Sequence, residues 1–128
     1  MTALDIPGEP QTARPPQHAV TVLVVDDNRI DRMWVTRILG PDCHVVGVET
    51  LAEAQIALEQ QTFDAVVLDR NLPDGRSDAL AGTLSAAGTV TVVMTGEDLR
   101  WLSPLKPGVS YLTKGRASES PLRSTIGL

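Results

Sequence analysis

Three aliphatic runs in this chain, and a fourth stretch of strand-forming residues, each end on residues that carry chemistry. Val22-Leu23-Val24-Val25 leads into Asp26-Asp27, Val66-Val67-Leu68 into Asp69, Val92-Val93-Met94 into Thr95, and Tyr111-Leu112-Thr113 into Lys114. A short run that is apolar at every position reads as a strand buried on both faces, the pattern of a parallel sheet covered on both sides by helices. In such a doubly wound sheet, ligands bind in the crevice outside the carboxyl ends of the strands. Asp26, Asp27, Asp69, Thr95 and Lys114 are therefore expected to converge there: three carboxylates, a hydroxyl and an ammonium.

The 128 residues leave room for one core-bearing domain, placed at 19–128, behind a tail at 1–18 that contains Pro7, Pro10, Pro15 and Pro16. No run is apolar and long enough to read as a signal peptide or membrane span, so a cytoplasmic location without membrane contact is expected. A net charge of −5 with scattered Arg residues argues against nucleic acid as a partner. The single Cys43 cannot form an internal disulfide and fits a reducing compartment.

Strands are expected at 20–25, 44–48, 63–68, 89–94 and 109–113, with helices between them. Asn28 is a helix cap with Asp31 three residues on, and Ile30, Met33, Trp34 and Ile38 form the apolar stripe. Thr50 and Glu53 make a capping box, and Leu51, Ala54 and Leu58 share a face. Ser77 is expected to cap a weaker helix carrying Leu80 and Leu84. Residues 97–102 allow at most two helical turns before Pro104. Leu122 and Ile126 mark a short or frayed final helix. Five strands interleaved with helices and joined by right-handed crossovers give a three-layer α/β sandwich.

Asp26-Asp27, the segment Leu68-Asp69-Arg70-Asn71-Leu72-Pro73-Asp74-Gly75, the pair Thr95-Gly96 and Tyr111-Leu112-Thr113-Lys114 together resemble the receiver domain of bacterial two-component response regulators. The resemblance runs from Thr21 to Lys114. It implies a flavodoxin-like, five-stranded, doubly wound parallel sheet with shortened fourth and fifth helices. It also implies that Asp69 takes a phosphoryl group from a phosphohistidine on a sensor histidine kinase or phosphotransfer protein, with Thr95 and Lys114 assisting. Mg²⁺ is the implied cofactor, with Asp27 and Asp69 as direct ligands, the Asn71 backbone carbonyl as a third, and Asp26 acting through a bound water. Such a site suits Mg²⁺, which takes oxygen ligands and is usually held by one or two carboxylates plus a phosphate.

In receivers the residue at Tyr111 turns inward when the hydroxyl at Thr95 moves to the phosphoryl group, which alters a surface for a downstream protein and leaves room for a homodimer. Asn71 and Glu97 occupy positions that line water access, and this pair resembles receivers that lose the phosphoryl group quickly. The chain is then no enzyme beyond its own Mg²⁺-dependent phosphoryl transfer and autodephosphorylation. A competing reading is a receiver-like interaction module that signals without phosphorylation. A hydrolase with paired carboxylates would need an acid two residues after Asp69, where Asn71 stands.

Several positions depart from the family's pattern. Gly115 follows Lys114 where proline is commoner, and the 18 residues between Thr95 and Lys114 are somewhat few. Arg70 replaces an apolar residue and is expected to be solvated. Trp34 is expected in the core, and Trp101 reads equally as an exposed anchor or as core. With no ligand spacing around them, His18 and His44 have no metal role.

Overall fold

The chain's computed structural model describes residues 20–101 and 106–128, with the Trp101 side chain left out. The tail at 1–18, His18, Pro104 and the expectations attached to the Trp101 side chain lie outside the described residues. Strands β1 (Val20–Val25), β2 (Cys43–Val48), β3 (Ala65–Asp69), β6 (Val90–Thr95) and β7 (Ser110–Thr113) form one sheet in the order β2-β1-β3-β6-β7. Every pairing is parallel. β4 (Asn71–Leu72) and β5 (Gly75–Arg76) form a separate small antiparallel hairpin.

The three interior strands carry the apolar runs at 22–25, 65–68 and 92–94, and alternation along them divides the core in two. Leu23, Val25, Val66, Leu68 and Val93 pack with Ala54 and Ala57 of α2 (Leu51–Gln60) and with Ala81 and Leu84 of α3 (Asp78–Ala86). Val22, Val24, Ala65, Val67, Val92 and Met94 pack with Val35 and Leu39 of α1 (Arg29–Leu39) and with Leu122 and Ile126 of α4 (Glu119–Ile126). Two apolar layers against one sheet make the expected three-layer α/β architecture. Among the described residues the edge strand β2 has no strand partner on its outer side, and it carries exposed His44 and Gly47.

Local chemistry sets the helix starts. The Asn28 side chain accepts from the N–H groups of Ile30 and Asp31 at 2.9 and 3.1 Å, satisfying two of the donors that a helix start leaves unpaired. At α2 the Thr50 hydroxyl accepts from the Glu53 N–H at 3.1 Å, while the Glu53 carboxylate accepts from the Glu49 N–H at 2.7 Å. A third cap comes from far away in sequence: Asp74, in the turn between β4 and β5, accepts from the N–H groups of Leu51 and Ala52 at 2.9 and 3.0 Å.

Three expectations need correction. On α1, Ile30 is 74% and Met33 53% exposed, and the helix instead buries Val35 and Leu39, flanked by Trp34 and Ile38. Ile30 sits in the first turn, where it lines a cavity beside the sheet ends rather than packing closely against them. Ser77 stands at the start of α3 but makes no side-chain cap; its own N–H donates to the Arg70 carbonyl at 3.0 Å. Arg70 is 5% exposed rather than solvated.

The shortened helices are found. Between β6 and β7 the described residues hold a 3₁₀ turn at Leu99–Trp101 and no α-helix. The final helix, α4, has eight residues, yet Leu122 is fully buried and Ile126 nearly so. Arg123 ties it to the end of α1, donating to the Ile38 carbonyl at 2.7 Å and to Asp42 at 2.9 Å.

Candidate functional site

β1 and β3 are neighbours in register, Val25 beside Leu68, so the acids that follow them must emerge side by side. Asp26, Asp27 and Asp69 each offer an oxygen within 4.8 Å of the others, from buried, exposed and half-buried positions respectively. Lys114 arrives from the end of β7, anchored by its N–H, which donates to the Thr95 carbonyl at 2.8 Å. Its ammonium donates to Asp26 Oδ2 at 3.0 Å and to Asp31 Oδ2 at 2.7 Å, and lies 3.4 Å from Asp69 Oδ2.

Thr95, at the end of β6, is 1% exposed, and its hydroxyl oxygen accepts from the Glu97 N–H at 3.0 Å. The Asn71 N–H donates to Asp69 Oδ1 at 3.3 Å. Asp26 is engaged at both oxygens, since Oδ1 accepts from the Asn28 N–H at 2.9 Å while Oδ2 faces Lys114. Arg32 reaches back to the Asp26 carbonyl at 2.7 Å, holding the loop that carries the two acids.

The electrostatics follow from this crowding. Burial, and next the neighbouring Asp26 charge, push the Asp69 carboxyl above its ordinary value, and Lys114 offsets only part of this. For Lys114, burial opposes the charged form, but hydrogen bonds to Asp31 and Asp26 and the charges of Asp26 and Asp69 outweigh it and hold the ammonium above the usual lysine range. Three carboxylates, Asp26, Asp31 and Asp69, thus face one ammonium, and a fourth, Asp27, stands beside Asp26 and Asp69. The donor set is all oxygen, and the excess negative charge calls for a hard cation such as Mg²⁺.

Other expected residues lie at the margins. Glu97 turns its carboxylate to Arg70, whose guanidinium donates to it at 2.7 Å and to Asp78 of α3 at 3.3 and 3.4 Å. Tyr111 is half-buried against the α2–α3 layer, with its hydroxyl accepting from the Lys106 N–H at 3.0 Å. Sequence reasoning missed Asp31 and Arg70 as members of this neighbourhood. Asp31 was legible only as a first-turn acid, though its place one turn into the helix that follows Asp26-Asp27 was a signal. Arg70 gave none, because its partners come from separate elements.

The fold is that of CheY-like response regulator receiver domains. A receiver domain (CheY-like) from Methylobacillus flagellatus superposes with a TM-score of 0.71 at 24% identity, over 84% of this chain and 98% of that one. The beryllofluoride-activated NtrC4 receiver domain dimer gives 0.69 at 25% identity, over 82% and 92%. The receiver domain of the sensor histidine kinase PA1611 from Pseudomonas aeruginosa, which has a magnesium ion coordinated in its active-site cleft, gives 0.70 at 20% identity, over 86% and 99%.

Among curated proteins, a protein-glutamate methylesterase/protein-glutamine glutaminase of Rhodospirillum centenum is 40% identical over 78 residues, 57% of this chain and 20% of that protein. Stress response regulator protein 1 of Candida albicans is 33% identical over 67 residues, 50% of this chain and 24% of that protein. The matched stretch thus spans a quarter or less of either relative. No protein-family model matches the chain. Among the described residues, no helix is long and apolar enough to cross a membrane.

Proposed function

We propose that this chain is a phosphoacceptor, taking a phosphoryl group onto Asp69 from a phosphohistidine of a sensor histidine kinase or phosphotransfer protein and altering a protein-binding surface in response. One observation carries the reading: the Asp26, Asp27 and Asp69 oxygens gather within 4.8 Å, with the Lys114 ammonium 3.4 Å from Asp69, at the carboxyl edge of a receiver-type sheet.

Asp27, Asp69 and the Asn71 carbonyl would hold Mg²⁺, which supplies charge neutralisation for the carboxylates and the transferring oxygens. Asp26 suits the water-mediated place, because both its oxygens already have donors. In the transfer, an Asp69 oxygen forms its bond to phosphorus as the N–P bond of the donor breaks, the electron pair staying on the imidazole nitrogen. Lys114 holds positive charge beside the oxygen that gains the group. Thr95 keeps its hydroxyl proton to donate to a phosphoryl oxygen, since its acceptor side serves the Glu97 N–H.

The new charge of about −2 on Asp69 is the local event, and displacement of Thr95 and then Tyr111 would transmit it to the face around β7. Loss of the group by water attack, at a rate tuned by Asn71 and Glu97, returns the free carboxylate and inorganic phosphate. A downstream protein reads the altered face, and self-association through it is an output of the same kind.

Incubation with acetyl phosphate and Mg²⁺, followed by intact-mass measurement, tests this. Addition of one phosphoryl group, abolished in Asp69→Asn, is the expected result. A folded sample that gains no mass with acetyl phosphate or with phosphorylated kinases overturns it in favour of an interaction module that signals without phosphorylation.

A further inference from the structure

We propose that Asp31 is a positioning residue for Lys114, a competing anchor on α1 that keeps the ammonium partly away from Asp69 and thereby shortens the life of the phosphorylated state. The inference rests on the reading of Asp69 as phosphoacceptor. Of the three carboxylates around the Lys114 ammonium, Asp31 is the nearest at 2.7 Å, with Asp26 at 3.0 Å and Asp69 at 3.4 Å. An ammonium has three donors and no preferred plane, so it divides itself among such partners by charge and distance. The contact nearest to it is thus made with a residue outside the acidic trio of the sheet edge.

The surroundings allow the head to move while the base stays fixed. The Lys114 backbone is pinned by its N–H bond to the Thr95 carbonyl, so any shift is one of side-chain torsions. Beside it lies a cavity of about 290 Å³ whose lining includes Asp26, Asp31, Asp69, Lys114 and Gly115, which leaves room for the four-carbon stem to swing. Asp31 is also the most solvated of the three acids, with a side chain 36% exposed against 7% for Asp26 and 12% for Asp69. Its hold is therefore the one most readily given up. When a phosphoryl group adds charge at Asp69, the ammonium is drawn toward it, and Asp31 limits how fully it goes. Remove that competitor, and Lys114 serves the acylphosphate without division.

The test uses the whole chain as wild type, Asp31→Asn, Asp31→Glu and, as a control that removes an equal charge from the exposed surface of α2, Glu59→Gln. The Lys114 Nζ resonance, recorded by side-chain ¹H–¹⁵N NMR on metal-free protein, should shift in Asp31→Asn and return toward its wild-type position in Asp31→Glu. After loading with acetyl phosphate, the phosphoryl half-life in Asp31→Asn should lengthen about threefold, the range of a partly exposed ion pair. Asp31→Glu and Glu59→Gln should stay near wild type.

An unshifted Nζ resonance, an unchanged half-life, or an equal lengthening in Glu59→Gln overturns the proposal. Failure of the phosphoacceptor reading looks different: wild-type protein then takes up no phosphoryl group at all, while the Nζ resonance still reports Asp31 as the anchor.

Discussion

Gly115 shows how one residue can break a family's pattern for a reason that only backbone geometry reveals. Its φ is +137°, a region that L side chains rarely adopt, and an added Cβ would meet nothing within 4 Å, so torsion rather than space demands glycine here. Proline, the commoner residue after this lysine in receivers, fixes φ near −65° and cannot be accommodated. Gly115→Pro is therefore expected to destabilise the protein by roughly 2 kcal/mol, measured by urea unfolding, rather than restore a family feature. The departure was legible in the sequence, but its meaning was not: only the backbone shows the turn, closed by a bond from the Ser118 N–H to the Gly115 carbonyl at 3.0 Å. Arg70 is the opposite case, an apparent surface charge that proves buried, because Asp78 and Glu97 converge on it from α3 and from the loop after β6.

Among the elements, α4 is the one whose sequence looks weakest. It has eight residues, with Pro121 near its start. Its place depends on packing rather than propensity, since isolated helices of this length do not persist in water. Leu122 is fully buried among the residues that α1 and the sheet contribute. Leu122→Ala should cost about 3 kcal/mol, read as a lower midpoint in urea with an unchanged slope. The spacing of Leu122 and Ile126 made this helix visible in the sequence. On α1, by contrast, periodicity alone assigned Ile30 and Met33 inward, because an apolar stripe does not say which of its residues pack closely against the sheet. The second anchor of α2, Asp74, lies more than 20 positions away and could not be read from local sequence.

At the scale of the whole molecule, the sheet is what sequence reading recovers best. Unbroken apolar runs at β1, β3 and β6 identify interior strands, and their terminal polar residues identify the edge where Asp26, Asp27, Asp69 and Lys114 meet. The same assembly has a thermodynamic consequence in metal-free protein. Asp69 has a folded-state pKa above its ordinary value, so the folded state binds this proton more tightly than the unfolded chain does. Stability therefore falls as pH rises past the ordinary value and through the folded one. Asp69→Asn should raise the melting temperature of metal-free protein at a pH above the folded value. The gain should shrink as pH falls through the folded pKa and disappear below the ordinary carboxyl value, where both proteins are neutral at this position.

Because β1 and β3 are hydrogen-bonded neighbours, the spacing of the acidic trio is inherited from the backbone ladder, which sets strands about 4.8 Å apart whatever covers them. The outer layer is thereby decoupled from the chemistry. Among the described residues the segment between β6 and β7 holds a 3₁₀ turn and no α-helix, yet the three acids keep their separations.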